Sequence, residues 1–350
     1  MSMTGSKRVL IIGGAGHFGC LLTDDLRRYT DCELVVPARR VVDLWNPASV
    51  EAALSGVAVA VCAAGPFQEL PVTLAEMCLG RGIHYIDLAD DRSFVRKVRS
   101  LVSGDGGNLP AICSGWSTVS ALSGLSAQIA ATGLDQIDAV YIHMSTGNRL
   151  PKRAATIASL LYSVGRPFTI FRDGRWQTVL GWSEPRDFSF PPPIGRRRGY
   201  LVDVPDHELF PELFRARTVE FRTASEGVAL NAPVTLYGWF VKRNLFRSRN
   251  FWNKLFQCAG ALAGFAGHDW GGIGVEVIGS SGQEHVIRRV SVVADSGAQR
   301  IAVMPASVMT ALLLSGSNHH GIVSPAHWLT PEQLRDACEN RGLQLIVEEL

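Results

Sequence analysis

Apolar runs alternate regularly with amphipathic segments through roughly the first 120 residues. An unbroken apolar run, Val9-Leu10-Ile11-Ile12, predicts a strand that is buried on both faces. After it, Leu22 and Leu26 recur at helical spacing and predict a helix over about 19–29. Further strands are predicted at 33–38, 57–63, 83–88 and 109–113, with helices at 71–80 and 92–101. Strands that alternate with helices favour a parallel, doubly wound sheet of the α/β class.

The pattern changes after residue 120. Helices are predicted at 117–131 and 152–164, a strand at 136–144, and strand-length runs with frequent Gly and Pro over 167–287. We also predict a hairpin that joins 286–294 to 298–304, helices at 307–315 and 330–341, and a last strand at 343–348. This mixture is typical of an α+β domain.

Composition supports two globular domains and gives no sign of a polyanionic partner. The chain has 350 residues, of which 47% are hydrophobic and 19% charged, and its net charge is only +2. We therefore expect no nucleic-acid partner. Its 7 cysteines are scattered without a C-x-x-C pair, and no apolar stretch precedes the first strand, so we expect a cytoplasmic protein without disulfides or a metal site.

A glycine-rich turn follows the first strand and opens the first predicted helix. It consists of Gly13, Gly14, Ala15, Gly16, His17, Phe18 and Gly19. Gly14, Gly16 and Gly19 fit the G-x-G-x-x-G spacing, with Gly13 as an alternative first member. Glycines at such a turn let a dinucleotide pyrophosphate approach the backbone N–H groups of the helix. The first domain is thus predicted to be a Rossmann domain that binds a dinucleotide with this turn.

The end of the second predicted strand bears on which dinucleotide is bound. An acidic residue there would hold the ribose hydroxyls of NAD, but this chain has Arg39 and Arg40. Guanidinium groups suit a 2′-phosphate, so NADP is favoured and NAD remains possible. The alternative is that both arginines belong to a solvated strand end, which would leave the choice open.

Three motifs together resemble the saccharopine dehydrogenase-like family over about the first 120 residues. They are the glycine turn 13–19, the run Cys62-Ala63-Ala64-Gly65-Pro66-Phe67, and the run 82–91 that contains Tyr85-Ile86-Asp87. The resemblance implies an NAD(P)-dependent oxidoreductase that reduces an imine or carbonyl of a small metabolite. It also implies that Ala63, Ala64, Gly65 and Pro66 lie against the nicotinamide ribose, that Phe67 helps wall the ring, and that Asp43 lies near the adenine.

The change of pattern near residue 120 and the resemblance at the C-terminus together set the predicted domain boundaries. The run 321–325, followed by a helix, resembles the C-terminus of that family, which packs back on the dinucleotide domain. We therefore predict a Rossmann domain over 1–120, an α+β substrate and dimerisation domain over 121–315, and a C-terminal segment over 316–350 that packs on the Rossmann domain.

Two features depart from the family pattern. The link from Arg39 to Asp43 is too short for the helix that usually separates these elements. In addition, the segment 113–118 lacks the family's substrate motif, so saccharopine is not expected to be the substrate. Its residues Ser114, Gly115 and Trp116 are predicted to bind a different small molecule.

Tyr85 and Asp87 are the preferred catalytic residues, because alternate residues of a strand share one face. Their alternatives are a buried ring and a carboxylate that caps a helix or closes a loop. His84 would point the other way, and His143 and Lys152 are further acid or base candidates in the second domain. The adjacent pair His319-His320 is interpreted as a surface loop rather than a metal site.

The sequence contains two basic segments, each with several alternative roles. The run 239–252 is rich in Trp, Phe, Lys and Arg, and could bind an acidic substrate, a membrane surface or a partner subunit, or form a half-exposed helix with solvated arginines. The same alternatives hold for Arg196-Arg197-Arg198. For the whole chain, the alternative function is a non-catalytic NADP-binding sensor or partner-binding protein. A homodimer is expected.

Overall fold

The computed structural model describes residues 7–103, 107, 109–150, 154–243, 245, 248–265 and 267–350. The strands are β1 (Arg8–Ile12), β2 (Glu33–Val35), β3 (Val59–Cys62), β4 (His84–Asp87), β5 (Ala111–Cys113), β6 (Gln136–Thr146), β7 (Pro167–Arg172), β8 (Arg175–Leu180), β9 (Arg186–Ser189), β10 (Arg196–Leu201), β11 (Thr218–Ser225), β12 (Gly271–Ser281), β13 (Glu284–Ala294), β14 (Gly321–Ile322) and β15 (Gln344–Glu349).

The α-helices alternate with these strands in the first part of the chain and are less regular afterwards. They are α1 (His17–Tyr29), α2 (Pro47–Ala53), α3 (Thr73–Arg81), α4 (Arg92–Arg99), α5 (Ala121–Ala131), α6 (Ala154–Ser163), α7 (Asp206–Leu213), α8 (Val228–Lys242), α9 (Arg249–Gly264), α10 (Arg300–Leu314) and α11 (Pro331–Glu339).

The first compact unit comprises Met1–Leu122 and Ala302–Trp328 and contains a six-stranded sheet. Its strand order is β14-β5-β4-β3-β1-β2, and every neighbouring pair is parallel. Residues 9–12 of β1 are buried, as expected for a central strand covered on both faces. The predicted doubly wound parallel sheet is confirmed.

Strand β1 pairs with β2 on one side and with β3 on the other. The chain therefore leaves the sheet in opposite directions after these two neighbouring strands. In open α/β sheets, ligands bind at the carboxyl ends of the strands at such a switch point. The turns after Ile12 and Cys62 both lie at this edge.

The second compact unit comprises Ser123–Ile301 and Leu329–Leu350 and contains a mixed sheet of order β15-β13-β12-β6-β11-β10-β9. Strands β6 and β11 are parallel, whereas β12, β13 and β15 add in antiparallel fashion. One face of this sheet is apolar, with Val140, Phe221 and Val275 buried. On the other face, Phe188 of β9 covers Gly274 so closely that an added Cβ would collide with its ring. The predicted second domain with mixed strands and helices is confirmed.

The predicted hairpin between 286–294 and 298–304 is wrong. The strand β13 pairs instead with β12 across a turn at Gly282, and residues 300–314 form α10. Ile301, Met304 and Met309 are buried, and most of the residues between them are buried as well. A helix that is buried nearly all round has no polar face, so its short apolar runs resemble those of a strand.

Two further expectations need correction. The segment 316–350 does not pack as one piece on the first unit, because β14 joins the parallel sheet while β15 pairs with β13 in the second sheet. Strand-length runs were predicted over 167–287, but the structure has two long helices in this range, α8 and α9. Pro233 and several glycines interrupt the apolar pattern of these helices, and that interruption imitates short strands.

Candidate functional site

The glycine turn packs against the backbone that follows β3. Gly13 has φ +79°, and a Cβ added to it would lie 2.5 Å from the backbone nitrogen of Ala64. A Cβ on Gly19 would collide with the carbonyl oxygen of Gly13, and one on Gly14 with the side chain of Val36. These three glycines are therefore required by close packing of the turn itself.

Gly16 has a different environment. It is the N-cap residue of α1, is exposed, and its N–H donates to the carbonyl oxygen of Gly13 at 2.8 Å. Among the described residues, a Cβ on Gly16 would come within 4 Å only of the Gly13 oxygen, at 3.0 Å. The first turn of α1 carries no acidic residue. This helix start thus presents an open surface with the partial positive charge that favours an anion.

The remaining residues of the turn flank this opening. Ala15 is exposed, while His17 and Phe18 are half-buried, with their ring centroids 5.3 Å apart. Their predicted contacts with a dinucleotide remain predictions, as does the role of the whole set 13–19.

Arg39 and Arg40 lie at the centre of a tight turn after β2, in which the Val41 N–H donates to the Ala38 carbonyl oxygen at 2.8 Å. Both arginines are exposed. Val41 and Trp45, which follow them, are also exposed, at 67% and 63%. Trp45 was not anticipated as a site residue, although it follows Val41, Val42 and Leu44 in a mainly apolar run directly after the two arginines.

Asp43 holds the loop between this turn and α2. One of its carboxylate oxygens accepts the Trp45 N–H at 3.0 Å, and its own N–H donates to the Ser49 hydroxyl at 3.0 Å. The helix α2 begins only after Asp43, at Pro47, which agrees with the short link noted in the sequence. Asp43 thus has a local structural role, and its proximity to an adenine remains a prediction.

The segment Ala63–Pro66 leaves β3 at the same edge of the sheet as the glycine turn. Ala63 donates its N–H to the carbonyl oxygen of Ile12 at 2.8 Å, which joins the ends of β3 and β1. Gly65 is exposed, and a Cβ placed on it would meet nothing within 4 Å. Phe67 differs from this open stretch, because it is buried and packs on Phe94 with ring centroids 5.1 Å apart. The part of this motif that is open to a ligand is therefore its backbone.

Tyr85 and Asp87 lie on one face of β4, but both side chains are completely enclosed, with 1% and 0% exposure. One carboxylate oxygen of Asp87 accepts the N–H groups of Ala89 at 3.0 Å and Gly115 at 2.8 Å. Burial raises the pKa of Asp87 from 3.8 to about 6, against the opposing effect of these hydrogen bonds. In this conformation Asp87 closes the loop after β5, and the catalytic role of both residues remains a prediction.

Ser114, Gly115 and Trp116 form the loop that Asp87 holds. All three are buried, and Gly115 has φ +79°. The ring of Trp116 packs edge-on against Trp328 at 5.8 Å, and the Trp328 indole N–H donates to the Ala121 carbonyl oxygen at 3.0 Å. These contacts place the loop in the interior of the first unit. Its predicted contact with a substrate remains a prediction.

The other acid or base candidates have structural surroundings. His84 accepts the Ala111 N–H at its Nδ1 at 2.9 Å, and burial lowers its pKa. His143 is buried in the second unit and stacks on Phe188 with ring centroids 4.6 Å apart. Burial, together with the nearby Arg222, holds its pKa well below the usual range. Lys152 lies outside the described residues.

A network of ion pairs on the polar face of the second sheet was not anticipated. Glu276 accepts from Arg186 at 2.9 Å and from Arg289 at 2.6 Å. The Arg186 guanidinium also lies over the ring of Tyr141, 3.5 Å from its centroid. Charged residues within apolar strands, such as Glu276 between Val275 and Val277, were the signal for it. Such an arrangement pairs the Glu276 carboxylate, which is largely buried, with two positive partners.

The basic triplet of β10 is partly neutralised. Arg196 and Arg198 both pair with Asp187 of β9, and the Arg198 Nε lies 2.9 Å from its carboxylate. Among the residues that the structure describes, no group of three or more His, Cys, Asp or Glu side chains is placed to hold a metal ion. The pair His319-His320 is therefore not part of such a group within the described chain.

Comparisons with known proteins assign no family to this chain. No protein-family model matches the sequence, and no curated protein is similar to it. Solved structures to which the chain is similar include DAP dehydrogenase of C. glutamicum in complex with DAP, at 13% identity and TM-score 0.45, with coverage of 95% of this chain and 98% of that chain.

Two other similar structures were solved with a dinucleotide. An engineered D-amino acid dehydrogenase bound to NADP+ is 14% identical with TM-score 0.45, over 95% of this chain and 98% of its own. An inositol dehydrogenase homolog from Azotobacter vinelandii complexed with NAD+ is 12% identical with TM-score 0.34, over 99% and 100%. None of these three is described as a saccharopine dehydrogenase, and the resemblance to that family remains a prediction.

Proposed function

We propose that this chain is an NADP-dependent oxidoreductase that binds its dinucleotide on the first unit, at the edge formed by the glycine turn and the end of β3. The observation that carries the proposal is the backbone packing of Gly13 on Ala64, which sets the open N-terminus of α1 beside the exposed Gly65. The residues present fit a pyrophosphate, because Gly16 is exposed and leaves the helix start accessible.

The preference for NADP rests on Arg39 and Arg40. Both follow β2, the strand next to β1, and both are exposed. No ion pair among the described residues neutralises either guanidinium group. Two uncompensated positive charges at this position attract a 2′-phosphate. The exposed indole of Trp45 offers a flat apolar surface nearby in the chain, on which a purine could stack.

The chain's own groups would bind the dinucleotide and orient it, while the nicotinamide supplies the hydride when the dinucleotide is bound. The α1 N–H groups would hold the pyrophosphate, and the backbone of Ala64 and Gly65 would support the nicotinamide ribose. Asp87 acts in this proposal as a positioning residue, because it fixes the Gly115 loop from the interior. An imine or carbonyl carbon of a small metabolite is the proposed hydride acceptor, on the strength of the family resemblance.

The test is a calorimetric titration of the full chain with NADPH and, separately, with NADH. Gly16→Ala adds a methyl group at the open helix start, with its nearest protein neighbour at 3.0 Å. We expect it to weaken NADPH binding at least about tenfold without unfolding the protein. Gly80→Ala in α3 is the matched control, because Gly80 is exposed and its Cβ would meet nothing within 4 Å. Absence of binding for both dinucleotides would overturn the proposal.

A second function is supported by the burial of the predicted catalytic residues. Tyr85 and Asp87 are enclosed, at 1% and 0% exposure, and offer almost no surface to a substrate, which favours a sensor that binds NADP without turnover. Incubation with NADPH and a panel of amines with 2-oxo acids or aldehydes separates the two functions. Oxidation of NADPH supports the enzyme, whereas tight binding without turnover across the panel supports the sensor.

A further inference from the structure

The helix α9 exposes an apolar stripe to solvent. Phe251, Leu255, Leu262 and Phe265, the last directly after the helix, are 48%, 42%, 71% and 87% exposed. Their spacing of four, seven and three residues places them along one side of a helix. We refer to these four residues as the α9 face. An ordinary surface helix has polar residues on its solvent side, so the stripe is the reverse of the usual arrangement.

The other side of α9 faces the protein. The opposite side of α9 packs on α8 through an aromatic cluster, in which Trp252 lies 5.2 Å from the ring of Tyr237 and 5.8 Å from that of Phe240. Phe256 also contacts Tyr237, at 6.2 Å. These rings bury the inner side of α9 and join it to α8.

The charge of this region is strongly one-sided. Residues 227–267 contain no Asp or Glu, but they contain the five basic residues Lys242, Arg243, Arg247, Arg249 and Lys254. The rest of the chain has 29 of the 34 basic residues and all 32 acidic ones, so it is net negative by three. Positive charge is therefore concentrated in the stretch of sequence that contains α9.

The described basic side chains of this stretch are exposed, as the residues of the α9 face are. Lys254 is exposed and adjacent to Leu255, while Lys242 and Arg243 are exposed at the end of α8. The Arg243 guanidinium lies over the ring of Trp239, 4.1 Å from its centroid, and Trp239 is itself 44% exposed. Apolar and aromatic residues bordered by Lys and Arg are the composition of helices that lie in the interface of an anionic bilayer.

From these observations we propose that the α9 face docks the protein peripherally onto an anionic lipid bilayer. Within the described part of the chain no helix is long and apolar enough to cross a membrane, so docking takes place at the surface. A second copy of the chain fits less well, because a two-fold contact through this region would bring two strongly positive surfaces together. An acidic lipid headgroup layer neutralises that charge, and its acyl region accepts Leu262 and Phe265.

The experiment is co-sedimentation of the full chain with sucrose-loaded vesicles. Vesicles of phosphatidylcholine alone are compared with vesicles that also contain about 30% phosphatidylglycerol. We expect the bound fraction to rise at least about fivefold with the anionic lipid and to fall when the salt is raised from about 50 to about 500 mM. Equal binding to both vesicle types, or no binding to either, would contradict the proposal.

Variants locate the contact. Leu255→Glu combined with Leu262→Glu changes two exposed positions of the α9 face and should reduce vesicle binding at least about tenfold. Leu350→Glu is the matched control, because Leu350 is 60% exposed and lies at the end of the chain beyond β15. Circular dichroism of all variants checks that they are folded.

Sedimentation velocity without lipid tests the alternative that a second copy of the chain binds the α9 face. If the wild-type chain self-associates and the double variant is monomeric, while neither binds anionic vesicles, the α9 face is an interface between copies and the proposal is wrong. Unchanged vesicle binding by the double variant also overturns it. Loss of vesicle binding with an unchanged association state supports it.

Discussion

Gly13 and Ala64 are in backbone contact: a Cβ on Gly13 would stand 2.5 Å from the Ala64 nitrogen and 2.7 Å from its Cα. The two residues follow neighbouring parallel strands, β1 and β3, at the point where the chain departs to opposite sides of the sheet. This contact joins the two turns at the sheet edge where α/β folds bind dinucleotides. It is made by backbone atoms and involves no side chain. Backbone packing between these two residues therefore contributes to the shape of the turn.

Gly13→Ala should destabilise the protein by at least about 2 kcal/mol, because the new Cβ meets backbone atoms that cannot move aside. The measurement is equilibrium unfolding in urea. Gly82→Ala is the control, since Gly82 also has a positive φ, +69°, but its Cβ would meet nothing within 4 Å. That control should lose only about 1 kcal/mol from the left-handed conformation. Equal losses for the two variants would show that Gly13 is not closely packed.

Arg39→Ala combined with Arg40→Ala should weaken NADPH binding by about 10- to 100-fold and leave NADH binding within about twofold. The reason is that the two guanidinium groups are exposed at the end of β2 and would contact only the 2′-phosphate. Calorimetric titration with both dinucleotides measures the ratio. Arg27→Ala serves as a control, because Arg27 is exposed on α1 and faces Asp24 at 3.8 Å. A parallel loss for NADPH and NADH would exclude a 2′-phosphate site.

Asp87→Asn should change how stability depends on pH. Burial raises the folded-state pKa of Asp87 from 3.8 to about 6, so the folded protein takes up this proton more readily than the unfolded chain. The contribution of Asp87 is thus most favourable below about pH 4 and is lost as the pH rises to about 6, by up to about 3 kcal/mol. Asn keeps an oxygen that can accept the Ala89 and Gly115 N–H groups, but it does not titrate.

The measurement is urea unfolding of the wild type and Asp87→Asn at several pH values between about 4 and about 7. We expect the difference in unfolding free energy to move in favour of the variant as the pH rises. A constant difference across this range would mean that Asp87 does not titrate there in the folded protein.

Glu276→Gln should cost about 2–3 kcal/mol, because it removes the shared negative partner of Arg186 and Arg289 where the carboxylate is buried. Thermal or urea unfolding measures the loss. Glu33→Gln is the comparison, since the pair of Glu33 and Arg8 is exposed and should contribute less than about 0.5 kcal/mol. Similar losses in the two variants would indicate that the Glu276 pairs are solvated.

Much of the first unit follows from local sequence. The apolar run of β1, the glycine turn and the helix α1 were predicted in the right order, and β2 to β5 lie within the predicted strands. The reason is physical: a strand covered on both faces requires a continuous apolar run, and a tight strand-to-helix turn requires glycine. Both requirements act over a few adjacent residues and are therefore visible in the sequence.

Only the tertiary structure decided the features that depend on residues far apart in the chain. The last strand, β15, completes the second sheet because β13 offers it an edge, and nothing in residues 344–349 alone distinguishes that edge from another. Asp87 could have faced a cleft, yet the loop at Gly115 encloses it. Similarly, Asp187 neutralises two arginines of β10, whereas the basic residues around α9 have no acidic neighbour within 227–267. Strand pairing, burial and charge compensation arise between residues far apart in the chain, so only the folded protein determines them.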